Sequence, residues 1–394
     1  MIVIVAPEPV GWLSPLIHSL KAEGPLHVIA PWRLGVNALT PLQHPFLKRR
    51  RLALRGAEIQ SLPGFSAGEA LARLWAKNRT ERRLALRFLQ RAAVDRIAAQ
   101  QLPPTTQLVI APSCSAQRTF ARARARDIRC VLLEDLPSLR RLHADLDKAA
   151  KQHPDCRFLR HFRASPRAVA RQEAERLLAH EILVRGTYTA AHLRELGFPA
   201  TLWEPTPPPP IERNDAQSTR RPARCVVLAG LGTGRNGLIE AVDAIEHIPG
   251  SELRVREGEG LEPNWIRSHP QVRLFPGPPP LEAADLVIAP AWSESYPAVL
   301  RAAVARGIPI AATPQAAGSL QLAPRATLVP GDNDALVGLL RHPPAGSHFL
   351  SWKPWTGRST TESTPALAVT PQQATASCGR VDPSAERGSQ CPSC

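Results

Sequence analysis

Short β-branched apolar runs alternate along the chain with longer stretches whose apolar residues recur every three to four positions. Ile2 to Ala6 is a strand-like run, and Pro7, Pro9 and Gly11 follow it in a loop. Leu16 to Glu23 has helical spacing, and Leu26 to Ala30 is strand-like again. A long helical pattern covers about Ala67 to Gln100. Strand-like runs return at Leu108 to Ala111, Cys130 to Leu133 and Ile182 to Val184, and the last leads into a helix over Thr189 to Leu196 that stops at Gly197. Such alternation predicts an α/β fold with a parallel, doubly wound sheet.

Pro205-Thr-Pro-Pro-Pro-Pro210 and a polar stretch to Pro222 interrupt the pattern. Four consecutive prolines enter neither a helix nor a central strand, so they predict a stiff connector. The alternation then restarts. Strands are expected at Cys225 to Ala229, Leu253 to Arg256, Val272 to Phe275, Leu286 to Ala289, Ile308 to Ala312 and Leu328 to Pro330. Helices are expected at Leu238 to Ile245, Pro297 to Arg306 and Asp334 to Leu340. The expected organisation is a first Rossmann-like domain over 1–204, a linker over 205–222, a second such domain over 223–342 and a tail over 343–394. From Ser359 onward the tail is rich in Ser, Thr, Pro, Gln and Ala without periodicity, which predicts disorder.

Composition narrows the functional classes. Apolar residues make up 43% of the chain, enough for two cores. The formal charge of +15 points to nucleic acid, an anionic membrane or a phosphate-bearing ligand, with ordinary solvation of an Arg-rich surface as the plain alternative. Aromatic residues are 5% and no nucleic-acid motif stands out, so nucleic acid is not expected as a partner. The seven Cys show no metal-ligand spacing, and Cys391-Pro-Ser-Cys394 has no second pair, so no metal is expected and a reducing cytosol fits. No apolar run approaches the ~20 residues of a membrane helix, and the first residues lack a basic leader. The expected location is cytoplasmic. The densest basic run, Lys48 to Arg55, is either a solvated surface or a dock for anionic lipid at the inner membrane face, at ~1 kcal/mol per basic residue.

Two segments of the second half carry chemistry. Asp285 to Pro290, then Ser293-Glu294-Ser295-Tyr296-Pro297, an apolar helix and Gly307-Ile308-Pro309-Ile310, read as strand, loop, helix, stop and strand. The loop presents Glu294 at the carboxyl end of a parallel strand, where ligands of open α/β sheets bind. The N–H groups of Ser295 and Tyr296 would open the helix and favour phosphate. Glu294 would accept bonds from sugar hydroxyls, or serve only as a charge at the helix start. The second segment, Gly230-Leu-Gly232-Thr-Gly234-Arg235-Asn-Gly237, lies between a strand and a helix and reads as a phosphate cradle. Gly232, Gly234 and Gly237 also fit the dinucleotide fingerprint, with Glu257 at the end of the next strand.

In the first half, Glu134 and Asp135 end a strand, and His143 follows shortly after. With the Gly11 loop, these are the expected ligand-facing groups of the first half. The alternative for each is a solvated charge or a cap. His143, Asp145 and Asp147 alternate on one short segment, which rarely closes a metal site unaided.

The second-half pattern resembles the signature of family 4 glycosyltransferases of the GT-B fold. The matching elements are Ala284-Asp285, Leu286 to Pro290, Ser293 to Pro297, Gly307 to Ile310 and the later Val329-Pro330-Gly331-Asp332. Glu173 to Gly197 resembles the last strand and helix of that fold's first domain. The resemblance implies two Rossmann-like domains facing each other across a cleft. It implies a nucleotide-sugar donor as co-substrate, no separate cofactor, no metal, and a saccharide or lipid-linked acceptor. Transfer would proceed with retention, in glycan or glycolipid synthesis, with the donor phosphate helping to deprotonate the acceptor. Glu294 matches the first Glu of the family's Glu-x7-Glu motif; the second falls on Ala302. Leu231 and Asn236 stand about where the family has its diphosphate-binding Arg and Lys, and Arg235 is adjacent. These departures keep two other classes open: an NAD(P)-dependent oxidoreductase using the Gly232 turn, and a non-catalytic GT-B-like binding protein. The family ends in a helix returning to the first domain; Phe349 to Lys353 resembles its start, and then Pro354 breaks the pattern.

Overall fold

A computed structural model of the chain describes residues 1–7, 13–30, 58–61, 80–134, 137–154, 156, 159, 163–203, 224–257, 268–293, 298–317 and 328–342. The first half supplies β1 (Ile2–Val5), α1 (Leu13–Leu20), β2 (Leu26–Ala30), β3 (Glu58–Ser61), α2 (Thr80–Gln100), β4 (Leu108–Pro112), α3 (Gln117–Arg124), β5 (Arg129–Glu134), α4 (Leu139–Gln152), α5 (Pro166–Leu178), β6 (Glu181–Val184), α6 (Thr187–Glu195) and β7 (Ala200–Leu202). The second supplies β8 (Cys225–Leu231), α7 (Leu238–Glu246), β9 (Glu252–Arg256), β10 (Val272–Phe275), β11 (Leu286–Ala289), α8 (Ala298–Ala305), β12 (Ile310–Ala312), α9 (Pro314–Ala317) and α10 (Asn333–Arg341).

The strands form two wholly parallel sheets, ordered β3-β2-β1-β4-β5-β6-β7 and β10-β9-β8-β11-β12. In both, the chain walks outward from the first strand, then returns to pair its fourth strand with the opposite edge of the first. The order reverses between β1 and β4, and again between β8 and β11. Such switch points open a crevice at the carboxyl ends of the strands.

Burial on both sheet faces explains the near-continuous apolar strands. Ile2, Val3, Ile4 and Val5 are all buried. Ile2 and Ile4 pack with Leu16, Ile17 and Leu20 of α1, whereas Val3 and Val5 pack with Val94, Ala98 and Phe120 of α2 and α3. The second sheet repeats the plan. Val226 and Leu228 pack on α7 and α10, and Val227 and Ala229 on α8. Leu328 to Pro330 is not a strand: Leu328 N–H donates to the Ala312 carbonyl at 2.9 Å, and the chain then turns at Gly331. The part of the 67–100 helical pattern before Thr80, the 205–222 linker and the tail from 343 lie outside the described residues.

Buried carboxylates fix the carboxyl edge of the first sheet. The turn after β4 would leave the first N–H groups of α3 unsatisfied. Glu175 of α5 accepts from the N–H groups of Cys114, Ala116 and Gln117 at 2.5, 2.8 and 3.2 Å. Asp95 of α2 accepts from those of Arg118 and Thr119, both at 2.9 Å, and from Arg171 at 3.0 Å. Two helices thus clamp the start of a third. Asp95→Ala strands Arg171 and two N–H groups, and urea unfolding should report a loss of about 3 kcal/mol, the scale for breaking a buried pair. A change under about 1 kcal/mol, the scale of a surface pair, would mean that Asp95 is not holding α3.

Candidate functional site at the carboxyl edge of the second sheet

The turn after β8 is built around glycine. Gly230 has φ 96° and Gly237 has φ 77°, both in the left-handed region where a Cβ is disfavoured. At Gly237 space forbids a side chain as well. A Cβ there would lie 2.2 Å from the Pro290 carbonyl oxygen at the end of β11. The turn and the β11 loop therefore meet backbone to backbone across the switch point. Trp292 N–H donates to the Arg235 carbonyl at 3.0 Å and ties them again. Within the turn, Asn236 Nδ2 donates to the Leu231 carbonyl at 2.7 Å, and Gly232 N–H donates to Arg256 at 2.8 Å.

The structure brings Gly230, Gly232, Gly234, Arg235 and Ser293 together here. Gly232, Gly234 and Ser293 are buried. Nη1 of Arg235 is shut off from solvent, and burial lowers its guanidinium to about 10. It remains a cation at neutral pH. The N-cap residue of α7 is Gly237, which has no side chain to offer, whereas two carboxylates fill the first turn of α3. Leu231, where the resemblance would place an Arg, is exposed at the strand end. Ala302 packs against the core on the α8 side of the sheet. Glu294, Ser295, Tyr296, Asp135 and Gly11 lie outside the described residues.

The first-half candidates occupy other surroundings. Glu134 was expected as a polar group at the cleft edge. Instead it is buried at the end of β5, where Arg176 Nε and Nη2 donate to its two oxygens at 2.7 and 3.1 Å. Burial pushes its carboxyl up, and the Arg176 charge opposes the shift. His143 lies on α4, and its Nε2 accepts from the Ala164 N–H at 3.0 Å. Burial, then the Arg163 charge, lowers its basicity, so it stays a neutral acceptor. Cys114 stands in the strand-to-helix turn at φ 66°, but burial pushes its thiol up to about 12, which removes it as a nucleophile.

The site also contains residues without a sequence signal. Trp292 Nε1 donates to Glu240 Oε1 in the first turn of α7, and His153 Nε2, at the end of α4, reaches the same oxygen at 2.9 Å. Asp145 of α4 is buried, bound by Tyr188 Oη at 3.2 Å and paired with Arg141 at 3.2 Å, and it lies near Ser293. The Trp292–Glu240 and His153–Glu240 contacts join residues 52 and 87 positions apart, and no local periodicity reports them.

No protein-family model matches the chain, and no curated protein matches it. Solved structures do. Sucrose-phosphate synthase from Thermosynechococcus elongatus is 15% identical, with 86% of this chain and 88% of that one covered and a TM-score of 0.51. An E. coli trehalose-6-phosphate structure bound with UDP-2-fluoro glucose is 13% identical, with 87% and 91% covered and a TM-score of 0.52. Anabaena HepE in complex with UDP is 13% identical, with 86% and 88% covered and a TM-score of 0.50. The chain shares their fold, the two-domain GT-B arrangement of parallel α/β sheets.

The Gly237 contact can be separated from its conformation. Gly197 also has positive φ, 80°, but a Cβ there would meet nothing within 4 Å. Gly197→Ala should cost about 1–2 kcal/mol for the left-handed backbone alone. Gly237→Ala should cost clearly more in urea unfolding, because it must also push β11 away. Equal costs would show that the turn does not need this close approach.

Proposed function

We propose that the protein is a glycosyltransferase that takes a nucleotide-sugar donor at the Gly230–Gly237 turn. The supporting observation is that turn itself: glycine-built, with the cationic Arg235 in it, and at the switch point of the second sheet in a GT-B fold. A diphosphate would lie against the turn, where Arg235 and the start of α7 stabilise negative charge. Glu294, with Ser293, Ser295 and Tyr296 around it, would receive the sugar hydroxyls. Asp135, His143 and the Gly11 loop would meet the acceptor, a saccharide or lipid-linked glycan precursor. Glu134 would act there only through Arg176, which holds both its oxygens.

In the proposed reaction, a hexosyl unit moves with retention. The bond from the sugar's anomeric carbon to the donor phosphate oxygen breaks as the acceptor oxygen bonds to that carbon on the same face. The acceptor's hydroxyl proton passes to the departing phosphate oxygen. The protein needs neither metal nor separate cofactor in this scheme, since the leaving charge is met by Arg235 and backbone N–H groups. It works in the cytoplasm, with Lys48 to Arg55 as a contact for the inner membrane face. Among the described residues, no helix is long and apolar enough to cross a membrane.

Thermal shifts with UDP-, GDP- and ADP-sugars and with NAD(P) test the donor. Stabilisation of about 2.7 kcal/mol is expected from the right nucleotide sugar at a hundred times its Kd. Stabilisation by NAD(P) alone would transfer the glycine turn to the oxidoreductase reading. Once an acceptor is found, Glu294→Ala should abolish transfer and leave the melting temperature unchanged. Transfer at the wild-type rate would remove Glu294 from the mechanism.

A further inference from the structure

The contacts of α4 with the second half form a line. Asp145, Ala149 and His153 recur every fourth residue and so share one face of the helix and its cap. Asp145 lies near Ser293. Ala149 packs in one cluster with Trp292 and Ile239. His153 meets Glu240 at 2.9 Å and the Trp292 ring edge-on, with centroids 6.5 Å apart. Just before His153, the Gln152 side chain and Trp292 lie so close to Gly331 that a Cβ there would fall 2.0 Å from Gln152 Oε1 and 2.9 Å from the indole.

Trp292 and Ser293 directly precede Glu294. Both are buried, and Trp292 is held from α4 through the Glu240 carboxylate that His153 shares. Glu240 is 1% exposed, and one oxygen receives both Trp292 and His153. We propose that Glu240 is a positioning residue: its shared carboxylate clasps the loop that carries Glu294 to α4, so that the donor side of the site is held in place from the other half of the molecule. The proposal rests on the donor site proposed above.

The charged groups facing His153 are Glu240 and Asp243, both from α7; the Trp292 ring is its other neighbour. The bond to Glu240 raises the His153 imidazole above its ordinary value, against the effect of burial. A raised folded value means that the stabilisation is complete below the unfolded imidazole value and fades as pH rises through the folded one. Neutral His153 can still donate from Nε2, but without the charge assistance.

The test uses the full chain at pH 6 to 8.5. His153→Gln keeps a donor and removes the titration; Trp292→Phe keeps the ring and removes the N–H; Glu240→Gln keeps the shape and removes the charge. Without ligand, wild type should melt above His153→Gln at pH 6, and the gap should close towards pH 8.5. A gap independent of pH would overturn the ionic clasp. With UDP as the probe in titration calorimetry, Trp292→Phe and Glu240→Gln should each weaken binding about tenfold, the scale of one lost hydrogen bond of about 1.4 kcal/mol. The wild-type affinity should fall with rising pH, whereas that of His153→Gln should not. Unchanged UDP affinity in both loop variants would overturn the positioning role. If wild type binds none of UDP, GDP and ADP, the donor-site reading fails, and the positioning role fails with it. The melting comparison then decides the clasp alone.

Discussion

The Gly237 Cα and the Pro290 carbonyl occupy space that a methyl group cannot share. That contact exists because β8 pairs with β11, its partner across the point where strand order reverses. Two strand ends that emerge side by side must send their loops apart or let them touch. Here they touch, and only a glycine with φ 77° allows it. The rest of the candidate site depends on this approach. It seats Trp292 N–H on Arg235 and brings the indole over α7. Ser293, and with it the start of the Glu294 loop, follows from the placing of Trp292.

The two sheets make the same kind of edge and use it differently. In the first, the helix start after β4 is occupied by Glu175 and Asp95, and burial pushes the Glu175 carboxyl up to about 8. An incoming anion would have to displace protein carboxylates from bonds they already make. In the second, the N-cap residue of α7 is Gly237, which has no side chain to offer, and Arg235 lies in the turn before it. On the proposed reading, anion binding belongs to the second sheet.

Much of this architecture was legible in the chain, because parallel strands buried on both faces leave continuous apolar runs. Val272 to Phe275 and Leu286 to Ala289 coincide with β10 and β11, and the helix expected at Leu238 became α7. Leu328 looked like a strand because it is buried and apolar, but it makes a single bond to Ala312 before the chain turns. β3 and the three-residue β7 carry too few apolar residues to announce themselves. The side chains were harder. Glu134 at a strand end reads equally as a site residue or as half of an ion pair, and only the packing of α5 delivers Arg176 to it. His143 was expected to face a ligand, and its Nε2 is held by a backbone N–H. Glu240, His153 and Trp292 gave no signal, since their pairing exists only once the two halves meet.

That pairing bears on the residues where the chain departs from the family pattern. The position matching the family's second glutamate is Ala302, which packs on the sheet core. Near the proposed diphosphate the buried carboxylate is instead Glu240, in the first turn of α7. A bare negative charge there stabilises the helix dipole but repels a phosphate bound at the same terminus. His153 changes the sum. Once protonated, it offsets the Glu240 charge from outside the second sheet, and Arg235 is a cation within the turn. On the proposed reading, the affinity of the donor site for an anion is therefore set partly by a residue of the acceptor half. On that reading, docking α4 does more than shape the proposed site: it also sets how strongly the first turn of α7 attracts a phosphate.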